Sequence, residues 1–224
     1  GSFGTVIGNI LADNGIQTTL WLRNEDAANE INDKHHNEQY LPGVQLNPEL
    51  RASVSLQEAV TGADAIFVSV PSKSVREVVN SFADWLTPEQ ALISTTKGIE
   101  PEGFNLMSQV LAELCPDNPI GVLSGPNLAK EIAKRELAAT VFSSDNSDLR
   151  RNLQQALSCD YFRVYASNDL YGVELSGALK NIYAIVSGFV AALGMGENTK
   201  AMIITRSLAE MSRFAVSQGA NPLT

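Results

Sequence analysis

Two hydrophobic periods alternate along this chain as far as Ser167, and then one of them disappears. Short apolar runs rich in β-branched and aromatic residues read as strands: "IQTTLWL", "DAIFVSV", "ALISTT", "IGVLSG", "AATVFSS" and "YFRVYAS". Between them, apolar residues recur every three or four positions, which predicts helices over residues 5–14, 25–37, 55–63, 72–86, 104–114, 126–136 and 147–158. Gly15 stops the first helix, and "YLPGVQLNPEL" reads as a loop from its Pro and Gly. Strands alternating with helices predict an α/β fold, a mostly parallel sheet with helices on both faces. From residue 168 onward only long helical patterns remain. The chain therefore divides into an α/β domain over residues 1–167 and the start of an all-helical domain over residues 168–224.

The charge balance is acidic, with 25 Asp and Glu against 16 Lys and Arg. That disfavours nucleic acid and anionic membrane as partners, and leaves open a locally basic site for a small anion. Cys115 and Cys159 lack metal-like spacing and read as ordinary thiols of a reducing, cytoplasmic compartment. His35 and His36, in "NDKHHNEQ", have no third ligand at a useful spacing and read as a loop or helix end, so no metal is expected. The uncharged run over residues 181–196 is short for a membrane span and is expected as a buried helix.

The chemistry-bearing residues cluster at strand ends, where open α/β sheets bind ligands. In "GSFGT", Gly1 and Gly4 have the spacing of the last two glycines of G-x-G-x-x-G, with Ser2 and Phe3 between them and a helix following. Such a helix start offers amide donors to a dinucleotide phosphate, although a plain helix-start loop uses the same two glycines. Arg23 ends the next strand, where a 2′-phosphate of NADP is accommodated, and no acid stands there for the ribose of NAD. Lys97 follows a strand in "STTKG", suited to an anion. In "SGPN", Gly125 permits close backbone approach and Asn127 is placed to cap the next helix. Lys180 shares a helix face with Gly177, Ala184 and Ser187. A lysine among small residues either snorkels to water or serves as an acid or base of lowered pKa.

Together, "GSFGT", "LW", "NEQYLPG", "VPS", "TKGIE", "SGP", "AKE", "FRVY", "GVELSGALKNIYAI" and "TRSLAEMSRF", in this order, resemble the bacterial-type NAD(P)-dependent sn-glycerol-3-phosphate dehydrogenases. The resemblance implies a Rossmann-like domain followed by a helical domain. It implies interconversion of dihydroxyacetone phosphate and sn-glycerol 3-phosphate with NAD or NADP, feeding phospholipid synthesis. By the same resemblance Gly1, Ser2, Phe3, Gly4, Arg23, Lys97 and Ala129 contact the cofactor. Lys97, Gly125, Asn127 and Lys180 contact substrate, and Lys180 is the catalytic acid or base. Asn127 departs from the family's Ser or Thr, but its amide still donates and accepts. A homodimer is a further expectation. Against the family pattern, a first strand with its glycine, a "GDL" aspartate and an Arg-Asn pair are missing, so the chain is expected to be a fragment with little activity of its own. Two rivals compete: a related ketopantoate- or 6-phosphogluconate-type reductase, and a non-catalytic NADP-binding module.

Overall fold

The computed structural model describes residues 1–222 and 224. Its main sheet is built in chain order from β3 (Ala65–Val68), β4 (Ala91–Ser94), β5 (Ile120–Ser124), β6 (Ala138–Ser144) and β7 (Phe162–Ser167). β3, β4 and β5 run parallel, with Ala65 opposite Ala91 and Leu92 opposite Ile120. β4 is buried at every position, as an apolar run covered on both faces should be. Its neighbouring residues point to opposite faces. Leu92 joins a cluster with Val75, Val78 and Val79 of α4 (Ser72–Asn80) and with Met107, Val110 and Leu111 of α5 (Met107–Leu114). Ile93 joins the other cluster, with Ile7 and Ile10 of α1 (Ser2–Asp13) and Leu153 and Leu157 of α7 (Ser147–Leu157). Helices thus cover both faces, and the α/β layering expected from the periods is the observed one.

β6 runs antiparallel to β5, with Gly121 opposite Ser144, and β7 then lies parallel to β6. The β5–β6 connection carries only the five-residue α6 (Ala129–Ala133), too little for a crossover that returns to the starting end of the sheet. The helix expected over 126–136 shrinks accordingly.

A second, two-stranded sheet pairs β1 (Thr19–Trp21) in parallel with β2 (Arg51–Ser53). The sequence pattern did not reveal β2, because three residues are too few to show a period of two. A side chain helps hold it: Asn32 Nδ2 donates to Ala52 O at 2.9 Å, and Ala52 N–H donates back to Asn32 Oδ1 at 2.8 Å. Asn32 lies in a π-helical turn, Glu30–Lys34, that continues α2 (Glu25–Asn29) and closes at His35 in the left-handed region, φ 56°. The single helix expected over 25–37 is therefore two segments. Likewise α4 ends at Asn80 and is followed by a 3₁₀ turn, Ala83–Trp85, where one helix to residue 86 was expected. The short α3 (Leu56–Val60) is capped by Ser55, whose hydroxyl accepts from Glu58 N–H.

After β7 the chain is helical: α8 (Leu170–Ala192) and α9 (Glu197–Ser217) pack on one another. Asp169 caps α8 by accepting from Gly172 N–H at 2.9 Å. The first half of α8 lies on the carboxyl end of β5, where a Cβ added to Gly177 would collide with Ser124 Oγ. Gly177→Ala should therefore lower stability by about 1–3 kcal/mol, read as a reduced urea midpoint at unchanged slope. The second half of α8 corrects an expectation. Residues 181–196 are mostly not buried: Val190 is, but Ile185 is 73% exposed and Phe189 64%. Among the described residues, α8 is the one helix long and apolar enough, by length and composition, to cross a membrane. Its Glu174 and Lys180 are both engaged within the fold.

Candidate functional site

The start of α1 and the carboxyl ends of β3, β4 and β5 converge. α1 begins at Ser2, so Gly4 lies inside its first turn and not in a loop before it. There Gly4 faces the end of β3: a Cβ on it would lie 3.1 Å from Ser69 Cβ. The "NEQYLPG" segment fixes this end of the helix. Asn37 Nδ2 donates to Thr5 Oγ1 at 3.0 Å, Thr5 Oγ1 donates to Gly1 O at 3.1 Å, and Ser2 Oγ donates to Tyr40 O at 3.0 Å. First-turn amides of a twelve-residue helix point out of this end, with positive dipole behind them.

Lys97 rises from a base pinned by hydroxyls. Thr96 Oγ1 donates to Val70 O at 2.7 Å, and the Ser69 and Thr95 hydroxyls share a hydrogen bond of 2.7 Å. Its ammonium stands 5.8 Å from the centroid of the Phe3 ring. Burial, and then the neighbouring charge of Lys180, push the Lys97 ammonium below its ordinary pKa.

Lys180 reaches the same place from α8. Gly177 seats the helix on Ser124, and one turn later Lys180 Nζ donates to Gly125 O at 2.7 Å. Burial lowers its pKa as well. An ammonium has three donors, and the Gly125 carbonyl takes one, so the others are available to a ligand oxygen.

Asn127 does something other than cap. α6 is N-capped at Leu128 without a side-chain hydrogen bond, and Asn127 Nδ2 instead donates to Thr140 Oγ1 at 2.9 Å. Thr140 Oγ1 in turn donates to Ser124 O at 3.1 Å. Asn127 Oδ1 is buried with no hydrogen-bond partner among the described residues. A buried acceptor left so costs about 1–3 kcal/mol, which a ligand hydroxyl would recover.

Ala129 opens α6 and packs with Phe3 against the same apolar cluster. Arg23 stands apart from the two lysines. It is exposed just past β1, its guanidinium 5.8 Å from the ring centroid of Trp21.

Phe3, Lys97, Gly125, Asn127 and Lys180 are thus assembled by four separate elements and their loops. The α1 terminus and the two ammonium groups offer amide donors and positive charge to an anion, and the Asn127 oxygen offers an acceptor. Among the described residues no cluster of His, Cys, Asp and Glu could hold a metal.

The sequence pattern missed Glu174. It is 4% exposed and caps α5, accepting from Ser108 N–H at 3.0 Å and from the Ser108 hydroxyl. Burial outweighs these bonds and pushes its pKa up to about 7. A single acid in "GVELSG" was as anomalous as Lys180 six residues on, and the same cost of burying charge applied to it.

Comparison with known proteins bears on this arrangement. A family model described as NAD-dependent glycerol-3-phosphate dehydrogenase N-terminus matches residues 1–150, and its C-terminus counterpart matches residues 169–224. The chain is 53% identical along its whole length to a protein of Alcanivorax borkumensis named glycerol-3-phosphate dehydrogenase (NAD(P)+), of which it covers 65%. It is 54% identical to the Acinetobacter baylyi protein of the same name, of which it covers 62%. The chain thus spans somewhat under two thirds of these relatives. The solved glycerol-3-phosphate dehydrogenase of Coxiella burnetii superposes with a TM-score of 0.91 at 34% identity, over 99% of this chain and 68% of that one. The yeast enzyme's structure gives 0.87 at 29% identity, over 96% of this chain and 67% of that one.

Proposed function

The chain belongs to the NAD-dependent glycerol-3-phosphate dehydrogenase family, and from that membership we propose that it carries the cofactor domain and catalytic lysine of an oxidoreductase interconverting dihydroxyacetone phosphate and sn-glycerol 3-phosphate. The observation that carries the reading is the approach of two ammonium groups beside the α1 terminus: Lys180, bonded to the Gly125 carbonyl, and Lys97, which lies near Phe3 and feels the charge of Lys180. Lys180 as ammonium polarises the ketone oxygen and protonates it as it becomes an alkoxide. Lys97 holds the anionic substrate, and Gly125 and Asn127 orient its oxygens. Gly1, Ser2, Phe3, Gly4 and Ala129 would line the dinucleotide, which would supply the hydride when bound. Arg23 would meet the adenosine ribose end of a bound dinucleotide, where its charge would favour the 2′-phosphate of NADP. Residues 1–167 form the cofactor domain, and residues 168–224 belong to the substrate domain. The setting is the cytoplasm and the product serves phospholipid synthesis. A homodimer covering Ile185 and Phe189 belongs to the same reading.

NADPH and NADH oxidation by the full-length protein tests this. Dihydroxyacetone phosphate should be turned over, with ketopantoate inert in the same assay and 6-phosphogluconate inert in the reverse one. Turnover of either of those compounds would assign the site to a related reductase. Tight cofactor binding without turnover of any of them would leave a binding module, in which the two lysines have no task.

A further inference from the structure

Lys97 occupies a position that its own charge opposes. It is half-buried, and the charge of Lys180 acts on it directly. Two neighbouring ammonium groups repel, so the loop that bears Lys97 is held against that charge. α4 is the bed on which that loop rests. A Cβ on Gly98 would lie 2.7 Å from Ser72 Cβ, so the backbone beside Lys97 lies directly on the first turn of the helix. One turn further along α4 comes Arg76.

Arg76 grips two carboxylates at once. On one edge Nε donates to Glu100 Oε1 at 2.7 Å and Nη2 to Glu100 Oε2 at 3.1 Å. On the other, Nη1 and Nη2 donate to the two oxygens of Glu113, each at 2.9 Å. The Glu100 side chain is only 16% exposed. It also accepts from Asn105 Nδ2 at 3.3 Å, and its own N–H donates to Asn105 O at 2.8 Å. Arg76 holds the Glu100 and Glu113 carboxyls below the usual carboxylate range. Paired forks of this kind are directional in a way that an exposed lysine–carboxylate pair is not.

We propose that Arg76 is a positioning residue for Lys97: by gripping Glu100, three residues on, it fixes the loop against α4 and holds the Lys97 ammonium at the mouth of the site despite Lys180. This rests on the reading of Lys97 as the anion-binding group. The two edges of Arg76 have separable tasks. The Glu100 edge holds the loop, and the Glu113 edge ties α4 to α5.

Competitive acetylation of the chain's lysines across pH, read by peptide mass spectrometry, tests this without turnover. In Arg76→Met and in Glu100→Gln the Lys97 titration midpoint should move up toward the ordinary lysine value, as the loop loosens and the ammonium regains water. Through-space charge alone would move the two variants in opposite directions, up for the lost cation and down for the lost anion. Glu113→Gln should leave Lys97 unmoved, and Arg76→Lys should fall between, since an ammonium makes neither fork. An unshifted midpoint in Glu100→Gln, or an equal shift in Glu113→Gln, overturns the proposal. If Arg76→Met does not fold, Glu100→Gln decides alone, because it keeps the Arg76–Glu113 tie. Shifts in a protein that does not turn over dihydroxyacetone phosphate would keep the positioning role and remove the reaction.

Discussion

Alanine in place of Lys180 should cut kcat about 10²- to 10⁴-fold, the usual worth of a positioned proton donor, while cofactor affinity stays nearly unchanged. The geometry separates the two effects. Lys180 comes from α8, whereas the groups proposed to meet the dinucleotide come from α1, α6 and the segments after β1 and β4. Without the ammonium, the Gly125 carbonyl loses its donor and a substrate oxygen loses the proton it needs as charge develops. The side chain is only partly buried, so its loss should leave folding intact. Steady-state kinetics beside a fluorescence titration of NADPH would check this. Added alkylammonium should restore part of kcat in the variant and leave the parent unaffected. A variant with near-normal kcat would take Lys180 out of its role.

Glu174→Gln should raise stability above neutral pH and change it little near pH 5. The sign follows from the carboxyl group. Its pKa is about 7 in the fold against 4.5 as the ordinary value, so between these limits the folded chain binds the extra proton. Stability from this group is therefore greatest at low pH, falls as pH rises from 4.5 to about 7, and stays reduced above that. A shift of that size corresponds to roughly 3 kcal/mol. Glutamine keeps an acceptor for Ser108 N–H, can donate to its hydroxyl, and removes the buried charge. Alanine removes the acceptor too and should destabilise at both ends of the pH range. Thermal melts at pH 5 and pH 8.5 discriminate. A glutamine variant less stable than its parent at both would mean that the charge is used, through the dipole of the α5 terminus.

What the sequence made legible was what repeats along the chain or stands out from it. The two periods located the strands of the main sheet and both faces of helices, and burial of charge singled out Lys180. Pairing across long separations was not legible. β2 is held partly by Asn32, twenty positions earlier, and nothing local in "RAS" announces a strand. The cap expected of Asn127 was a sound local reading that lost to Thr140, a partner visible only once β6 is laid beside β5. Arg76 reads as an ordinary helix-surface arginine until the fold brings Glu100 and Glu113 to its two edges.

The reversed direction of β6 decides who furnishes the mouth of the site. In a parallel sheet every strand delivers its last residues to that end. β6 delivers its first ones, with Val141 opposite Ser124 and Thr140 just before it. The site is consequently bordered by a strand's entrance as well as by strand exits, and Thr140 acts on Asn127 from within the sheet itself. Changes at residues 138–140 can then act on this mouth without altering the loop that carries Lys97 or the helix that carries Lys180.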